Sequence, residues 1–229
     1  MDFEPVENQK PVIAIIGGTG DLGSGLARLW ATAGYRVVLG SRDLHRARSA
    51  AEDLSRQIGR TVAGDANRAA AQAANIVVLC VPYSNHDTIL ADIGPALGGK
   101  TLVDAVVPLM PPKVATVQLP AAGSPALVAQ RLLGAKVRVA SAFHNVGATK
   151  LHRGAKADCD VLVFSDDVAV REQVIALANV VATRGVHGGV LANSVAAEAL
   201  TSVLIAINRR YKIPGAGIRI TGLPASDVQ

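Results

Sequence analysis

Val12–Ile16 is an unbroken apolar run, and it stops at a pair of glycines with helical sequence starting almost at once. The turn reads Gly18-Thr19-Gly20-Asp21-Leu22-Gly23, a G-x-G-x-x-G spacing. Such a spacing means little alone, but between a strand and a helix it marks a dinucleotide-binding turn. Gly18 is expected to let the chain turn sharply, Gly20 to leave room for a pyrophosphate, and Gly23 to let helix and strand pack closely. Thr19 supplies a hydroxyl. Asp21 and Leu22 complete the turn, and the Asp21 carboxylate is expected to point to solvent. The helix that follows offers free N–H groups and the positive end of its dipole to phosphate.

Continuous Val- and Ile-rich runs recur along the chain. Strands are predicted at Val12–Ile16, Arg36–Leu39, Asn75–Val81, Thr101–Val107, Val137–Ala140 and Val161–Phe164, with a weaker one at Thr61–Ala63. Runs that do not alternate in polarity signal parallel strands buried on both faces. Helices are predicted at Leu22–Ala33 and Leu44–Ile58, the second capped by Asp43, and later at Val168–Ala178 and Ala196–Tyr211. Only 3% of the residues are aromatic against 50% apolar, so the core must be built from Ala, Val, Leu and Ile. The expected fold is α/β, a Rossmann-type doubly wound parallel sheet with a small helical C-terminal extension. Residues 1–10 read as a flexible lead-in, 11–165 as the nucleotide-binding domain and 166–229 as the extension. A proline-rich loop, Pro108–Pro125, follows a strand's carboxyl end, where open α/β sheets bind ligands.

The second strand names the nucleotide. NAD-binding proteins carry an Asp or Glu there to accept from the ribose hydroxyls. Here the strand ends Leu39-Gly40-Ser41-Arg42, with no carboxylate. Ser41 can donate to a 2′-phosphate, Arg42 can fork onto it, and Arg46 lies one turn into the next helix. This favours NADP over NAD. Two further polar segments follow buried strands, Val81-Pro82-Tyr83-Ser84-Asn85-His86 and Ser141-Ala142-Phe143-His144-Asn145. Val81, Pro82, Tyr83, Ala142, His144 and Asn145 are candidates for the nicotinamide end. Hydride transfer between flat rings needs the rings held face to face, so His144 reads as a positioning group rather than an acid. Ser84, Asn85 and His86 also suit a helix start. Tyr83 lacks a lysine four positions on, which separates it from the Tyr-x-x-x-Lys dehydrogenases.

Other classes fit poorly. The net charge of +5 favours anionic partners. The charges are scattered and aromatics are scarce, so small multiply charged molecules suit it better than nucleic acid. No apolar stretch approaches the roughly 20 residues of a membrane helix. The start is too polar for a signal peptide. Cys80 and Cys159 show neither metal-ligand nor secreted spacing, which points to a reducing, cytoplasmic setting.

Taken together, Gly17 to Gly23, Gly40-Ser41-Arg42, Val81-Pro82, Ser141-Ala142-Phe143-His144 and Ala192-Asn193-Ser194 resemble the NADPH-dependent reductases of the deazaflavin coenzyme F420. The resemblance implies hydride exchange between NADP(H) and F420. Thr19, Ser41 and Arg42 would hold the 2′-phosphate, and the segments at Pro82 and His144 would border the deazaflavin with the loop before the last helix. It also implies a homodimer through the C-terminal helices, consistent with Leu200, Val203, Leu204 and Ile207 at helical spacing. One position departs: the family's Asn-Ser-Arg is Asn193-Ser194-Val195 here, so a cation is missing. A flavin, carbonyl or imine reductase and a non-enzymatic NADPH sensor are the competing expectations.

Overall fold

The computed structural model describes residues 10–223 of the 229-residue chain. Of the expected flexible lead-in, residues 1–9 lie outside the described residues.

Eight strands form one sheet: β1 (Ile13–Ile16), β2 (Val37–Ser41), β3 (Ala63–Ala66), β4 (Ile76–Leu79), β5 (Thr101–Asp104), β6 (Arg138–Ser141), β7 (Ala157–Ser165) and β8 (Ala182–Gly189). Their order is β3-β2-β1-β4-β5-β6-β7-β8. The first six are parallel in the Rossmann order, with the chain reversing direction across the sheet between β1 and β4. The helices are α1 (Asp21–Thr32), α2 (Leu44–Ile58), α3 (Asn67–Ala73), α4 (His86–Ile93), α5 (Pro125–Leu133), α6 (Ala148–Leu151), α7 (Val168–Val181) and α8 (Ser194–Tyr211).

Alternate residues of β1 show why the run is continuously apolar. Ile13 and Ile15 enter a core with Trp30, Phe143 and Val174, whereas Ala14 and Ile16 enter a second core with Leu79, Ile89 and Leu97. Both faces of the sheet are covered, so neither can be polar. Trp30 is fully buried, donates from Nε1 to the Leu177 carbonyl at 3.0 Å and meets the Phe143 ring edge-on at 5.6 Å. It ties α1 to α7 and to the loop after β6.

Two features depart from the sequence expectations. Val161–Phe164 lies within β7, which runs antiparallel to β6 with Ser141 opposite Phe164. The link from β6 to β7 holds only the four-residue α6, with no longer helix to carry the chain back along the sheet face as parallel crossovers usually do. A buried strand has the same composition in either direction, so the pattern could not show this. β8 was not expected at all; it lies inside the segment read as a helical extension and pairs in parallel with β7 across α7. Its sequence, ATRGVHGG, is glycine-rich and half-buried. A side chain at Gly188 would meet the Phe164 ring at 2.3 Å, so the residue that weakens the strand signal is what admits Phe164.

The apolar-run expectation also needs correction. Leu191–Tyr211 reaches 21 residues at a mean hydropathy of 1.4, long and apolar enough by those measures to cross a membrane, and is 33% buried. The stretch also contains Glu198, Arg209 and Arg210.

Trp30→Phe removes the donor to Leu177 and leaves a void. We expect a loss of about 2 kcal/mol, seen as a lower urea midpoint at unchanged slope.

Candidate active site

The carboxyl ends of β1, β2, β3 and β4 surround a cleft of about 260 Å³. The turn after β1 supplies Gly17, Thr19 and Gly20 to its wall. The sharp turn sits at Gly17, with φ of 84°, rather than at Gly18; a Cβ there would lie 2.3 Å from the Cys80 carbonyl oxygen. Gly18 is buried against Leu39, where a Cβ would approach to 2.9 Å. Gly23 is buried, its Cβ position 2.6 Å from the Gly17 carbonyl oxygen, so α1 starts hard against the turn. Gly20 is the N-cap of α1, whose first N–H groups have no partner within the helix. Leu22 packs into the core and does not line the cleft. The Asp21 side chain is 92% exposed, with Oδ1 3.6 Å from His152 Nε2.

At the end of β2, Ser41, Arg42 and Arg46 line the cleft. Ser41 Oγ accepts from the Asp43 N–H at 3.2 Å, which leaves its own hydrogen free to donate. Asp43 Oδ1 accepts from the Arg46 N–H at 3.1 Å, so this carboxylate is engaged as the cap of α2. The Arg42 and Arg46 side chains are exposed and make no hydrogen bond or ion pair among the described residues.

The β3 and β4 ends bring residues not anticipated from sequence. Asn67, Cys80, Asn85 and Ile89 line the cleft beside Val81 and Pro82. Asn67 is 4% exposed with its Oδ1 unpartnered. Its position had no signal, since β3 reads weakly. Asn85 resembled a helix cap, but its side chain makes no capping bond. Burial and the charge of Asp104 push the Cys80 thiol up to about 12, which keeps it protonated and weakly nucleophilic. Tyr83 is half-buried outside the cleft wall, packed towards the core near the His86 ring.

Behind the cleft lies a second arrangement that sequence pattern did not reveal. Asp104, the last residue of β5, is fully buried. His86 is 1% exposed, with Nε2 at 2.8 Å from Asp104 Oδ2 and Nδ1 at 2.8 Å from Asp87 Oδ1. Its role is therefore to pair with buried charge, not to cap α4. Burial opposes charge on His86, but bonding to Asp104 and then Asp87 outweighs this and raises its pKa.

At the end of β6, Ser141 Oγ lies 3.0 Å from His144 Nε2 and donates to Glu198 Oε1 at 3.0 Å. Ser124, the N-cap of α5 at the end of the proline-rich loop, also donates to Glu198 Oε1 at 3.0 Å and lies 2.8 Å from Ser194 Oγ. Ala142 and His144 are buried behind the cleft wall rather than on it, as is Asn145, which donates to the Asp160 carbonyl at 2.7 Å. Phe143, between them, adopts a φ of 71°, an uncommon conformation for a bulky residue. Burial drives His144 down to about 4, partly offset by Asp104. Burial, then the charge of Asp104, lifts Glu198 to about 7 against the pull of its serine partners.

Residues 12–108 match the model of a family described as coenzyme F420-dependent NADP oxidoreductase. The chain is 38% identical over 224 residues to the F420-dependent NADP reductase of Methanothermobacter thermautotrophicus, covering 94% of this chain and 97% of that one. It is 36% identical to the enzyme of the same name from Methanocaldococcus jannaschii, covering 92% and 98%. Among solved structures, a candidate F420-dependent NADP reductase from Arthrobacter sp. FB24 shares the fold at a TM-score of 0.76 and 24% identity, over 92% and 99% of the two chains. An imine reductase variant from Myxococcus stipitatus shares it at 0.58 and 24%, over 90% and 68%. A Rossmann sheet with this turn and these relatives defines an NADP-dependent oxidoreductase. Within that class, the chain belongs to the coenzyme F420-dependent NADP reductase family.

His86 carries a pH signature. A histidine whose pKa is raised in the folded state adds stability that is fully present below its ordinary value of 6.5 and fades as pH rises through the raised value. Urea titrations of the wild type should show stability falling as pH passes from weakly acidic to alkaline. His86→Gln should flatten that fall, and equal slopes in both proteins would exclude the pair as its source.

Proposed function

We propose that this chain transfers a hydride between NADP(H) and coenzyme F420, in either direction. The observation that carries the reading is the end of β2, where two unpaired guanidinium groups and a free serine hydroxyl stand in place of a carboxylate. A 2′-phosphate is a dianion that a forked cation and a hydroxyl match. A ribose diol would instead need an acceptor, and Asp43 is already engaged as a helix cap.

The rest of the cleft fits the same molecule. Gly17, Thr19 and Gly20 present backbone and one hydroxyl at the α1 N-terminus, where a pyrophosphate is favoured by free N–H groups and the helix dipole. Gly18 and Gly23 maintain the tight turn beneath. Asn67 offers a buried, unsatisfied amide oxygen that can accept from a hydroxyl or an amino group. Val81 and Pro82 form an apolar edge where a flat ring can lie. NADP(H) supplies the hydride-carrying nicotinamide, and the protein's own task is to hold the two rings together and exclude water. We place the acceptor beyond Val81 and Pro82 on the side of Tyr83, with Ala142, His144 and Asn145 buried beneath that wall and His144 positioning it from behind. Residues 11–165 then hold the dinucleotide, and 166–229 contribute to the acceptor pocket and to pairing. A homodimer is supported by α8, where Val203 is 43% exposed and Leu200 and Ile207 are only partly covered. Cysteine usage supports a cytoplasmic location.

Two measurements test this. Mixing the protein with NADPH and oxidised F420 should bleach the deazaflavin absorbance, whereas turnover on free flavin or an imine alone would replace the reading. Arg42→Ala should weaken NADPH binding by about 1.5–3 kcal/mol and NADH far less, measured by calorimetric titration. Equal losses would move the phosphate site elsewhere.

A further inference from the structure

The buried chain His144–Ser141–Glu198 has two satisfied links and two unsatisfied ends. Both inner contacts are 3.0 Å. His144 Nδ1 at one end and Glu198 Oε2 at the other are buried without a partner at hydrogen-bond geometry, although the Asp104 backbone acts on the imidazole and Ser194 on the carboxyl from close by. Each residue comes from a different part of the fold: Ser141 from the end of β6, His144 from the strained loop after it, and Glu198 from α8. The loop is further pinned by Thr201 Oγ1, which donates to the His144 carbonyl at 2.9 Å, so the ring is held at a set distance from Ser141. Nothing in nucleotide binding requires a carboxyl group with 1% exposure behind this histidine.

A serine between an imidazole and a carboxyl group has one hydrogen and can donate in only one direction. If Glu198 is ionised, Ser141 donates to it. Ser141 Oγ then accepts from His144 Nε2–H, and Nδ1 is a bare lone pair. If Glu198 is protonated, the order reverses: Glu198 donates to Ser141, Ser141 donates to His144 Nε2, and the imidazole hydrogen is on Nδ1. We propose that Glu198 is the store at the far end of a proton relay that opens at His144 Nδ1. The atoms balance. A proton binds Nδ1, the Nε2–H bond breaks as its proton passes to Ser141 Oγ, and the serine's original proton passes to Glu198 Oε1. His144 stays neutral before and after, and one proton has been stored. Ser141 and Glu198 act through His144 and are positioning residues.

The surroundings set the working range. Glu198 faces Ser194 on its own helix, Ser124 from α5, Ser141 from β6 and the charge of Asp104 from β5, with His86 of α4 beyond it. Asp104 also faces His144. Its charge favours a proton at either end of the chain, and Glu198 titrating at about 7 lets the store fill and empty near neutrality. Reduction of an oxidised ring by NADPH consumes one proton for each hydride, and the reverse reaction releases one. The relay supplies a holder for it, and only this last link depends on the proposed reaction.

The test reads His144 directly. Nitrogen-15 NMR of the ring, in the protein without ligand, should show Nδ1 protonated at mildly acidic pH and Nε2 protonated at mildly alkaline pH, with one midpoint near neutrality. Glu198→Gln should remove the switch and leave one tautomer throughout. Ser141→Ala should uncouple the ends, so that the Glu198 carboxyl carbon still titrates while the His144 tautomer no longer follows it. Melting temperatures near that of the wild type would show that both variants fold. A single His144 tautomer in the wild type at all pH values would overturn the relay, as would a switch that persists in Glu198→Gln. In turnover, the rate with saturating NADPH should lose its dependence on pH near neutrality in both variants while NADPH affinity is unchanged. Absence of F420 turnover together with an intact tautomer switch would reject the proposed reaction and leave the relay standing.

Discussion

A carboxylate with no exposed surface closes one of the two central strands of this sheet. Asp104 is held at the end of β5 by His86 Nε2 and by the Val106 N–H at 3.0 Å. Burying a charge in this way is tolerable only when it is paired and hydrogen-bonded. Its influence extends to the groups around it: it raises Cys80, raises Glu198 and offsets part of the fall in His144. Burial first, and this one negative charge second, keep the thiol protonated and favour a proton on Glu198 in the buried chain behind the cleft. His86 limits the cost, because it is close enough to both Asp104 and Asp87 to share charge with them.

The cleft depends on a different constraint, close backbone approach. The Gly17 and Gly23 contacts permit no side chain, so β1, the turn and α1 form one rigid piece against β4. The wall that results is mostly backbone on one side and cationic side chains on the other. Backbone N–H groups and a helix dipole attract phosphate without regard to which dinucleotide carries it. In the proposed function, discrimination falls to the exposed, unpaired arginines on α2 and the turn before it. An exposed cation can meet a dianion without strain in the sheet, and the proposed specificity residues are accordingly exposed while Gly18 and Gly23 beneath the turn are buried.

This division explains what could be read from sequence. The Rossmann half was legible because its signals are local: an apolar run, a glycine spacing, a capping Asp43, a strand end without a carboxylate. Ser41 and Arg42 are found at the expected strand end, lining the cleft with Thr19. The misses are non-local. β7 looks parallel because burial alone determines its composition, and β8 looks like a loop because its glycines serve a ring on the neighbouring strand. Asn67 follows a weak strand, and Glu198, Ser124 and Ser194 are ordinary helix and cap residues until three segments separated by long stretches of chain are brought together. The exposed face of α8 was readable from its spacing, but its polar inner face was not.

That inner face mixes polar groups into the usual order of an amphipathic helix. The residues of α8 turned into the protein are Ser194, Ala197, Glu198, Ser202 and Leu204, while Val203 remains exposed. In a helix that only covered a sheet, Leu and Val would face inward and the serines outward. Here the inward polar groups find partners in Ser124 and Ser141, so the helix is positioned by hydrogen bonds as well as by apolar packing. Hydrogen bonds have narrow geometric tolerance, whereas apolar contacts slide. A helix fixed this way sets the position of Glu198 relative to His144 within tenths of an ångström. It also turns an apolar stripe outward, and a second copy of the chain docking there would press on the same helix. Pairing and proton placement would then share one mechanical element.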